Sequence, residues 1–148
     1  PDEPDNVVQA LTHLRIGLDA SKGYAALYGV PKDESELGDH VYVGNDNPDG
    51  RAPFQRWLRS KVSYDRVVFR ATDTYSMVAA VRSGAGIGFL PVAQGDADPN
   101  LIEVMPPLEE WSAPLWLVTH VDLHRTAKVQ ALLTHLKAAV EDFNAAQG

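Results

Sequence analysis

Three glycines stand close together in Val81–Pro91, VRSGAGIGFLP, at positions 84, 86 and 88. Glycine-rich loops cradle nucleotide phosphates when they follow a strand and open a helix, with the spacing G-x-G-x-x-G. Here the spacing is G-x-G-x-G, Phe89 stands where the third glycine belongs, and the cluster closes a helical pattern and opens a strand. We therefore expect Gly84 to end a helix in the left-handed conformation, and Gly86 and Gly88 to permit close backbone approach. The cluster does not indicate a nucleotide site.

A stronger candidate site lies at the opposite end of the same helix. The strand pattern of Arg66–Arg70 runs into Ala71, Thr72 and Asp73, and a helix follows with Thr72 or Asp73 as its N-cap. The pair Ala20–Ser21 repeats this strand-to-helix step. Ligands of α/β sheets bind beyond the carboxyl ends of strands, where helix N-termini carry a partial positive charge. We expect the two helix starts to face one cleft that favours a small anion such as a carboxylate. The alternative is that Thr72 only caps its helix.

The spacing of the histidines and serines does not indicate a metal site or a catalytic site. His120 and His124 are four residues apart, which brings two imidazoles onto one metal only in a helix, and His120 falls in a strand pattern. His13, His40 and His135 are scattered, and we expect them to cap, to pair or to face solvent. No serine lies in a G-x-S-x-G motif, and no nucleophile has a partnered base. We expect no metal site, no cofactor and no enzymatic activity.

Strand and helix patterns alternate along the chain. Strands are predicted at Leu14–Ala20, Val41–Val43, Arg66–Arg70, Ile87–Leu90, Leu101–Val104 and Leu115–Val121. Helices are predicted between Ser21 and Gly29, at Pro53–Ser60, at Thr72–Gly84 and at about 125–144, with loops at 44–50, 96–100 and 106–114. This order predicts an α/β sandwich with a mainly parallel sheet.

Two long apolar strands bracket the middle of the chain. Leu115–Val121 is a continuous apolar run, which is typical of a strand covered on both faces. If it pairs with Leu14–Ala20, residues 21–114 form a lobe that the chain enters and leaves through a two-stranded neck, as in a hinged binding domain. The last helix is expected to bury six apolar side chains at helical spacing: Val129, Leu132, Leu133, Leu136, Val140 and Phe143.

The composition excludes several classes of function. The chain has 148 residues, a formal net charge of −7 and no cysteine, so it offers neither a disulfide framework nor a thiolate site. An acidic chain lacks the clustered Lys and Arg that nucleic-acid binding requires. No apolar run approaches the roughly 20 residues of a membrane helix. The chain opens at Pro1 without an initiator methionine, and we expect it to be part of a longer protein.

Taken in order, these features resemble the effector-binding domain of LysR-type transcriptional regulators. The resemblance rests on FRATDTYSMVAAVRSGAGIGFLPVAQ, then LIEVMPP, then PLWLVTHVDLHRTAKVQALLTHLKAAV, and on NVVQALTHLRIGLDASKGYAALYGVPKDESELGDHVYVG before them. In that family a strand leads through a Thr/Asn-Asp step into a helix, and a G-x-G-I-x-x-x-P segment follows. The match covers nearly the whole chain.

The resemblance implies a periplasmic-binding-protein-like (type 2) α/β fold of two subdomains with an inducer in the cleft between them. It assigns residues 1–19 to the end of subdomain I and the first crossover strand. Residues 20–117 become subdomain II, and residues 118–148 become the return strand and C-terminal helix of subdomain I. The winged helix-turn-helix, the linker helix and the first half of subdomain I lie outside this sequence. The implied inducer contacts are Ala20, Ser21 and Thr72, with Asp73, Gly86 and Ile87 close by.

The same resemblance implies a mechanism and a set of partners. A small-molecule effector closes the lobes and rearranges a cytoplasmic homodimer or homotetramer, and DNA is contacted only through the missing N-terminal domain. No membrane partner is expected. Two other readings stay open. A periplasmic-type solute-binding protein shares the fold and would need an export signal or lipid anchor upstream. A purely structural oligomerisation module predicts that Thr72→Val leaves the effector response intact.

Overall fold

The computed structural model describes residues 6–47, 50–120 and 126–147, and its strands lie in two separate sheets. The chain divides into two units. The first unit joins Pro1–Leu14 to Pro114–Gly148, and the second unit is the intervening Arg15–Ala113. The subdomain boundaries at 20 and 117 stay a prediction.

The strands of the described chain are β1 (Asn6–Leu14), β2 (Ile16–Ser21), β3 (Tyr42–Asn45), β4 (Val67–Ala71), β5 (Ile87–Pro91), β6 (Leu101–Met105) and β7 (Ala113–His120). The helices are α1 (Lys22–Tyr28), α2 (Pro53–Lys61), α3 (Thr74–Arg82), α4 (Val92–Ala97) and α5 (Ala127–Gln147). Short 3₁₀ turns cover Glu34–Asp39, Tyr64–Arg66 and Glu109–Trp111. The patterns in the sequence therefore locate most elements correctly, but they miss β1, and they miss α4, whose last residues fall in the predicted 96–100 loop.

The sheet of the second unit has five strands in the order β4-β3-β5-β2-β6. Strand β3 runs parallel to β4 and β5, whereas β2 runs antiparallel to β5 and β6. The prediction of a mainly parallel sheet is therefore wrong, because the sheet is mixed. Helix α1 has only seven residues and spans about 10 Å, roughly half the length of β2. It does not return the chain to the starting end of β2, so β3 begins where β2 ends.

The strand register defines two opposite edges of this sheet. At one edge Ile16 lies beside Pro91, and Asn45 lies beside Ala71, the residue before Thr72. We call this the Thr72 edge. At the other edge Tyr42 lies beside Ile87, and Ser21 lies beside Leu101. We call this the Ser21 edge. All sequence-predicted site residues belong to one edge or the other.

Both faces of the five-stranded sheet are covered. On one face Phe89 packs against Trp57 and Trp111, with ring centroids 6.1 and 5.1 Å away. On the other face Val81 of α3 packs with Val43 and Leu90 of the sheet, together with Ala80 and Leu101. Full burial of a large apolar side chain is worth about 1.5–3 kcal/mol. The two clusters therefore hold the sheet in place and fix the loops at its edges.

Two glycines of the VRSGAGIGFLP segment have the structural roles predicted for them. Gly84 has φ 86°, in the left-handed region, and follows the end of α3. A Cβ on Gly86 would lie 3.0 Å from the carbonyl oxygen of Val41, on the backbone leading into β3. A side chain at this position would force the backbone of Val41 and Tyr42 to move by a few tenths of an ångström, and glycine avoids that shift. The glycine cluster thus forms a tight helix-to-strand connection, as predicted.

The first unit differs from two sequence-based predictions. Strand β7 pairs with β1 in a two-stranded sheet, and not with the strand predicted at Leu14–Ala20. Leu115 and Val118 of β7 are 42% and 43% exposed, so the apolar run is not covered on both faces. On α5, Leu133 is buried but Leu132 is exposed, and the other four residues expected in the core are half-buried. One helix against two strands has too little surface to cover them all.

Candidate functional site

The strand-to-helix step after β4 ends in a hydroxyl group and a carboxylate. Asp73 is the N-cap of α3, because its side chain accepts a hydrogen bond of 2.7 Å from the Ser76 N–H. This bond is the main cause that lowers the pKa of Asp73, so its carboxylate is ionised at neutral pH. Thr72 is exposed, and its hydroxyl donates to the Asp73 carboxylate at 3.3 Å. The long distance leaves the Thr72 hydroxyl able to bind something else.

Arg70 brings a positive charge to the same edge. Its Nη1 donates to the carbonyl oxygen of Asn45 at 3.0 Å, and its guanidinium lies 4.5 Å from the centre of the Tyr64 ring. These contacts hold the planar group in one position, while a guanidinium has five N–H donors in all. Asp46 also lies here, since its N–H donates to the Ala71 carbonyl oxygen at 3.0 Å.

A hollow of about 320 Å³ opens where the chain enters the second unit. It is lined by Arg15, Ile16, Pro107, Leu108, Glu109 and Ser112. Two of its lining residues, Arg15 and Ile16, lie on the Thr72 edge, because Ile16 pairs with Pro91 and the Val92 N–H donates to the Arg15 carbonyl oxygen at 3.0 Å. Sequence reasoning missed this hollow. The one available indication was the break between two strands at Arg15, which the prediction of a continuous Leu14–Ala20 strand overlooked.

The remaining predicted site residues lie together at the Ser21 edge. Ala20, Ser21, Gly86 and Ile87 are all buried. The Ser21 hydroxyl oxygen accepts the Tyr24 N–H at 2.9 Å, which makes Ser21 the N-cap of α1. Thus the structure brings these four residues together but offers no exposed side chain among them.

The prediction that both helix starts face one cleft is wrong. Since β2 runs antiparallel to β5, its carboxyl end lies at the edge opposite to that of β4, roughly 15 Å away along the strands. Both helix starts are also occupied: Asp73 caps α3, and on α1 the Lys22 N–H donates to the Asn100 carbonyl oxygen while Ser21 caps the helix. Free helix dipoles therefore do not select the ligand.

The histidines follow the expectation that they pair or face solvent. His40 is buried, and its Nδ1 lies 2.8 Å from the Tyr24 hydroxyl oxygen. His13, His120 and His135 are exposed, and His124 lies outside the described residues. Within residues 6–47, 50–120 and 126–147 no group of three His, Cys, Asp or Glu side chains is placed to hold a metal ion. No helix in these ranges combines the length and the apolar character needed to span a bilayer.

Nearly the whole chain is similar to known transcriptional regulators. Residues 1–141 match the family model described as the LysR substrate binding domain. The probable HTH-type transcriptional regulator LtrA of Klebsiella pneumoniae is 27% identical over 143 residues, which are 91% of this chain and 46% of that protein. The chain therefore spans about half the length of this curated relative.

Solved structures with the same fold include two regulatory domains. The regulatory domain of CrgA, a LysR-type transcriptional regulator from Neisseria meningitidis, superposes with a TM-score of 0.72 at 22% identity, over 95% of this chain and 71% of that chain. The AmpR effector binding domain from Citrobacter freundii superposes with a TM-score of 0.70 at 13% identity, over 95% and 70% of the two chains. Together with the mixed α/β elements, these likenesses establish the periplasmic-binding-protein-like type 2 fold.

Proposed function

This chain belongs to the LysR substrate-binding domain family, and from that premise we propose that it senses a small effector for a LysR-type transcriptional regulator by binding it at the Thr72 edge. LysR-type proteins are regulators and not enzymes, in agreement with the absence of a partnered nucleophile from the sequence motifs. The observation that carries the proposal is the exposed Thr72 hydroxyl at the carboxyl end of β4, the strand that also carries Arg70 with its guanidinium fixed on the Asn45 carbonyl oxygen.

The geometry of the Thr72 edge supports this choice over the Ser21 edge. A ligand needs accessible polar groups on rigid elements; Thr72 is exposed, and Arg70 is half-buried and held by its contacts with Asn45 and Tyr64. Ala20 and Ile87, by contrast, are fully buried in the sheet. We therefore propose Thr72 as an effector contact, with Asp73 holding the start of α3 in position. The four residues of the Ser21 edge act through packing in this proposal.

The effector class that we propose is a small organic anion, such as a carboxylate. Arg70 makes one hydrogen bond to Asn45, and guanidinium groups bind carboxylates in pairs of parallel hydrogen bonds. Asp46 and Asp73 oppose an anion, but both are exposed, so water screens their charges, and the Asp73 carboxylate is also satisfied by the helix start. We therefore expect the fixed Arg70 guanidinium to make the Thr72 edge prefer a negatively charged ligand.

Calorimetric titration tests the proposed effector class. The full-length protein is titrated with a panel of small organic acids and with amines of matched size. Saturable binding of an acid, weakened by Arg70→Gln, is the expected result. Binding of amines only would overturn the anion proposal while leaving the Thr72 edge open to a test by substitution.

The proposed mechanism is a shift between conformations. An effector that prefers one arrangement of the protein raises the population of that arrangement, and a winged helix-turn-helix elsewhere in the full-length protein then binds DNA differently. We propose that the regulator is cytoplasmic and acts as a homodimer or homotetramer. The formal net charge of −7 supports a DNA contact made elsewhere in the full-length protein, since an acidic chain is poorly suited to binding DNA phosphates.

A reporter experiment tests the role of Thr72 in the full-length protein. Thr72→Val removes the hydroxyl with little change in volume, and loss of one neutral hydrogen bond is worth about 0.5–1.5 kcal/mol. The effector concentration for half-maximal response should therefore rise roughly two- to tenfold. Thr134→Val is the matched control, because Thr134 is an exposed helix residue whose hydroxyl donates to Gln130 at 3.1 Å. An unchanged response in Thr72→Val would favour the purely structural module.

A periplasmic-type solute-binding protein is the second candidate, because it shares this fold. It predicts binding of a small molecule with no effect on DNA binding. Electrophoretic mobility of a promoter fragment with the full-length protein, with and without the bound acid, separates the two. A shift that the acid changes supports the regulator, and no DNA binding under either condition supports the solute receptor.

A further inference from the structure

Strand β2 carries a buried carboxyl group that the proposed function does not use. Asp19 lies in the middle of this strand and is 7% exposed. Among residues 6–47, 50–120 and 126–147, no hydrogen bond reaches its carboxyl group. Glu103 is its direct neighbour on β6, and Asp96 of α4 also acts on it. A buried carboxyl beside two other carboxyls is costly to ionise.

Helix α4 lies directly over the Asp19 carboxyl through a glycine. A Cβ on Gly95 would be 2.8 Å from Oδ2 and 3.0 Å from Oδ1 of Asp19, so the helix backbone touches the group that it covers. Helix α4 has six residues, and no side chain caps its start. A helix this short has little stability of its own and depends on its contact with the sheet. The element that covers Asp19 is therefore one that can open locally.

The surroundings of Asp19 make its charge sensitive to pH near neutrality. Burial, then Glu103 and then Asp96, raise the pKa of Asp19 to about 7. The direction of the pH dependence follows from a comparison with an open form, in which α4 has left the sheet. In that form water restores the ordinary Asp19 pKa near 4. The covered state binds the proton more tightly, so rising pH favours the open form. The preference for the open form increases between pH 4 and pH 7 and is constant above pH 7.

Other charged groups near β2 do not compensate Asp19. Strand β5 contains no titratable residue. On α3, Arg82 is bound to Asp98 at 2.8 Å, so its charge is already paired. The other titratable groups on the packed helices are Lys22, Tyr24 and Tyr28 of α1 and Tyr75 of α3. Glu103 and Asp96 are the groups that act on the carboxyl besides burial.

We propose that Asp19, Glu103 and helix α4 form a pH-sensitive latch, in which a neutral Asp19 keeps α4 on the sheet and an ionised Asp19 releases it. The latch acts on the Thr72 edge as well, because α4 begins at Val92, whose N–H donates to the Arg15 carbonyl oxygen. The latch itself involves only β2, β6 and α4, so it stands whether or not an effector binds at that edge.

Hydrogen exchange of the full-length protein tests the latch without any ligand. Amide protection of α4 is measured at pH 6 and pH 8 and corrected for the intrinsic exchange rates. For pKa values near 7 when covered and 4 when open, opening of α4 should become roughly tenfold more favourable between these two pH values. Equal corrected protection at pH 6 and pH 8 would overturn the proposal.

Three variants assign the effect to the named residues. Asp19→Asn removes the titrating group, and α4 should then show the same protection at both pH values. Glu103→Gln keeps Asp19 but removes its first charged neighbour, which should move the midpoint of the transition to lower pH. Asp65→Asn is the control and should behave as the unmodified protein does, because Asp65 is exposed and its hydrogen bond to Ser63 lowers its pKa. A transition that persists in Asp19→Asn, or an unmoved midpoint in Glu103→Gln, would contradict the latch.

Discussion

The substitution Asp19→Asn tests the energetic cost of a carboxyl buried beside two others. Its pKa rises from an ordinary 3.8 to about 7 in the folded protein, so the ionised form is the less stable one. The resulting penalty begins near pH 4, increases up to about pH 7 and is then constant. Between pH 5 and pH 8 the cost to the free energy of unfolding grows by about 2.5 kcal/mol, because each unit of difference in proton affinity is worth about 1.36 kcal/mol. Asparagine carries no charge and is free of this dependence.

Urea denaturation at pH 5, 6, 7 and 8 measures this difference. Tryptophan fluorescence reports on the right region, because Trp57 and Trp111 are buried in the same unit as Asp19. Any difference in packing between asparagine and aspartic acid is independent of pH. The stability of Asp19→Asn relative to the unmodified protein should therefore still rise by about 2.5 kcal/mol over this range. In Asp65→Asn the difference should stay constant. Parallel pH profiles for Asp19→Asn and the unmodified protein would show that ionisation of Asp19 does not destabilise the fold.

Two further predictions concern the packing that positions the edges, and thermal or urea denaturation checks both. Gly86→Ala should destabilise the protein by about 1–3 kcal/mol, because its Cβ would lie 3.0 Å from the Val41 carbonyl oxygen. Gly23→Ala in helix α1 is the control. A Cβ on Gly23 would have no neighbour nearer than 3.8 Å, so this substitution should be neutral or stabilising. Tyr24→Phe should cost about 1–3 kcal/mol, because it removes the hydroxyl that lies 2.8 Å from Nδ1 of the buried His40. A neutral Gly86→Ala or Tyr24→Phe would show that these contacts do not stabilise the fold.

Local chemistry in the sequence predicts much of the fold. Ser21 caps α1, Gly29 follows it with φ 70°, and Gly84 follows α3 with φ 86°, all as residue type and position indicate. These features depend on hydrogen bonds and backbone angles within a few residues. Helix α4 is missed because VAQGDA is short, contains a glycine and lacks a side-chain cap.

Long-range pairing is what the sequence does not reveal. The direction of β2 decides whether Ser21 and Thr72 lie together, and no residue within β2 indicates its neighbours. The same limit applies to α5, where Leu132 and Leu133 have equal hydropathy but only Leu133 is buried. Periodicity identifies an apolar face but not how much of it a partner covers.

Of the two positions that the sequence nominates, only the one at Thr72 and Asp73 has exposed side chains in the structure. Thr72 and Asp73 follow a strand and precede a helix, which is enough to nominate them. Asp19, by contrast, could not be nominated from residue types and their order along the chain. A single aspartate in LRIGLDA gives no sign that Glu103 and Asp96 lie beside it, because both are more than 70 residues away in the chain.

Amide chemical shifts of the full-length protein, followed during titration with the acid identified by calorimetry, test where the effector binds. The largest changes should fall on the Thr72 edge, at Arg15, Asn45 and Thr72–Thr74. The amides of Ala20–Ser21 and Gly86–Ile87 should change little. Changes concentrated at Ala20–Ser21 and Gly86–Ile87, with the Thr72 edge unaffected, would contradict effector binding at the Thr72 edge.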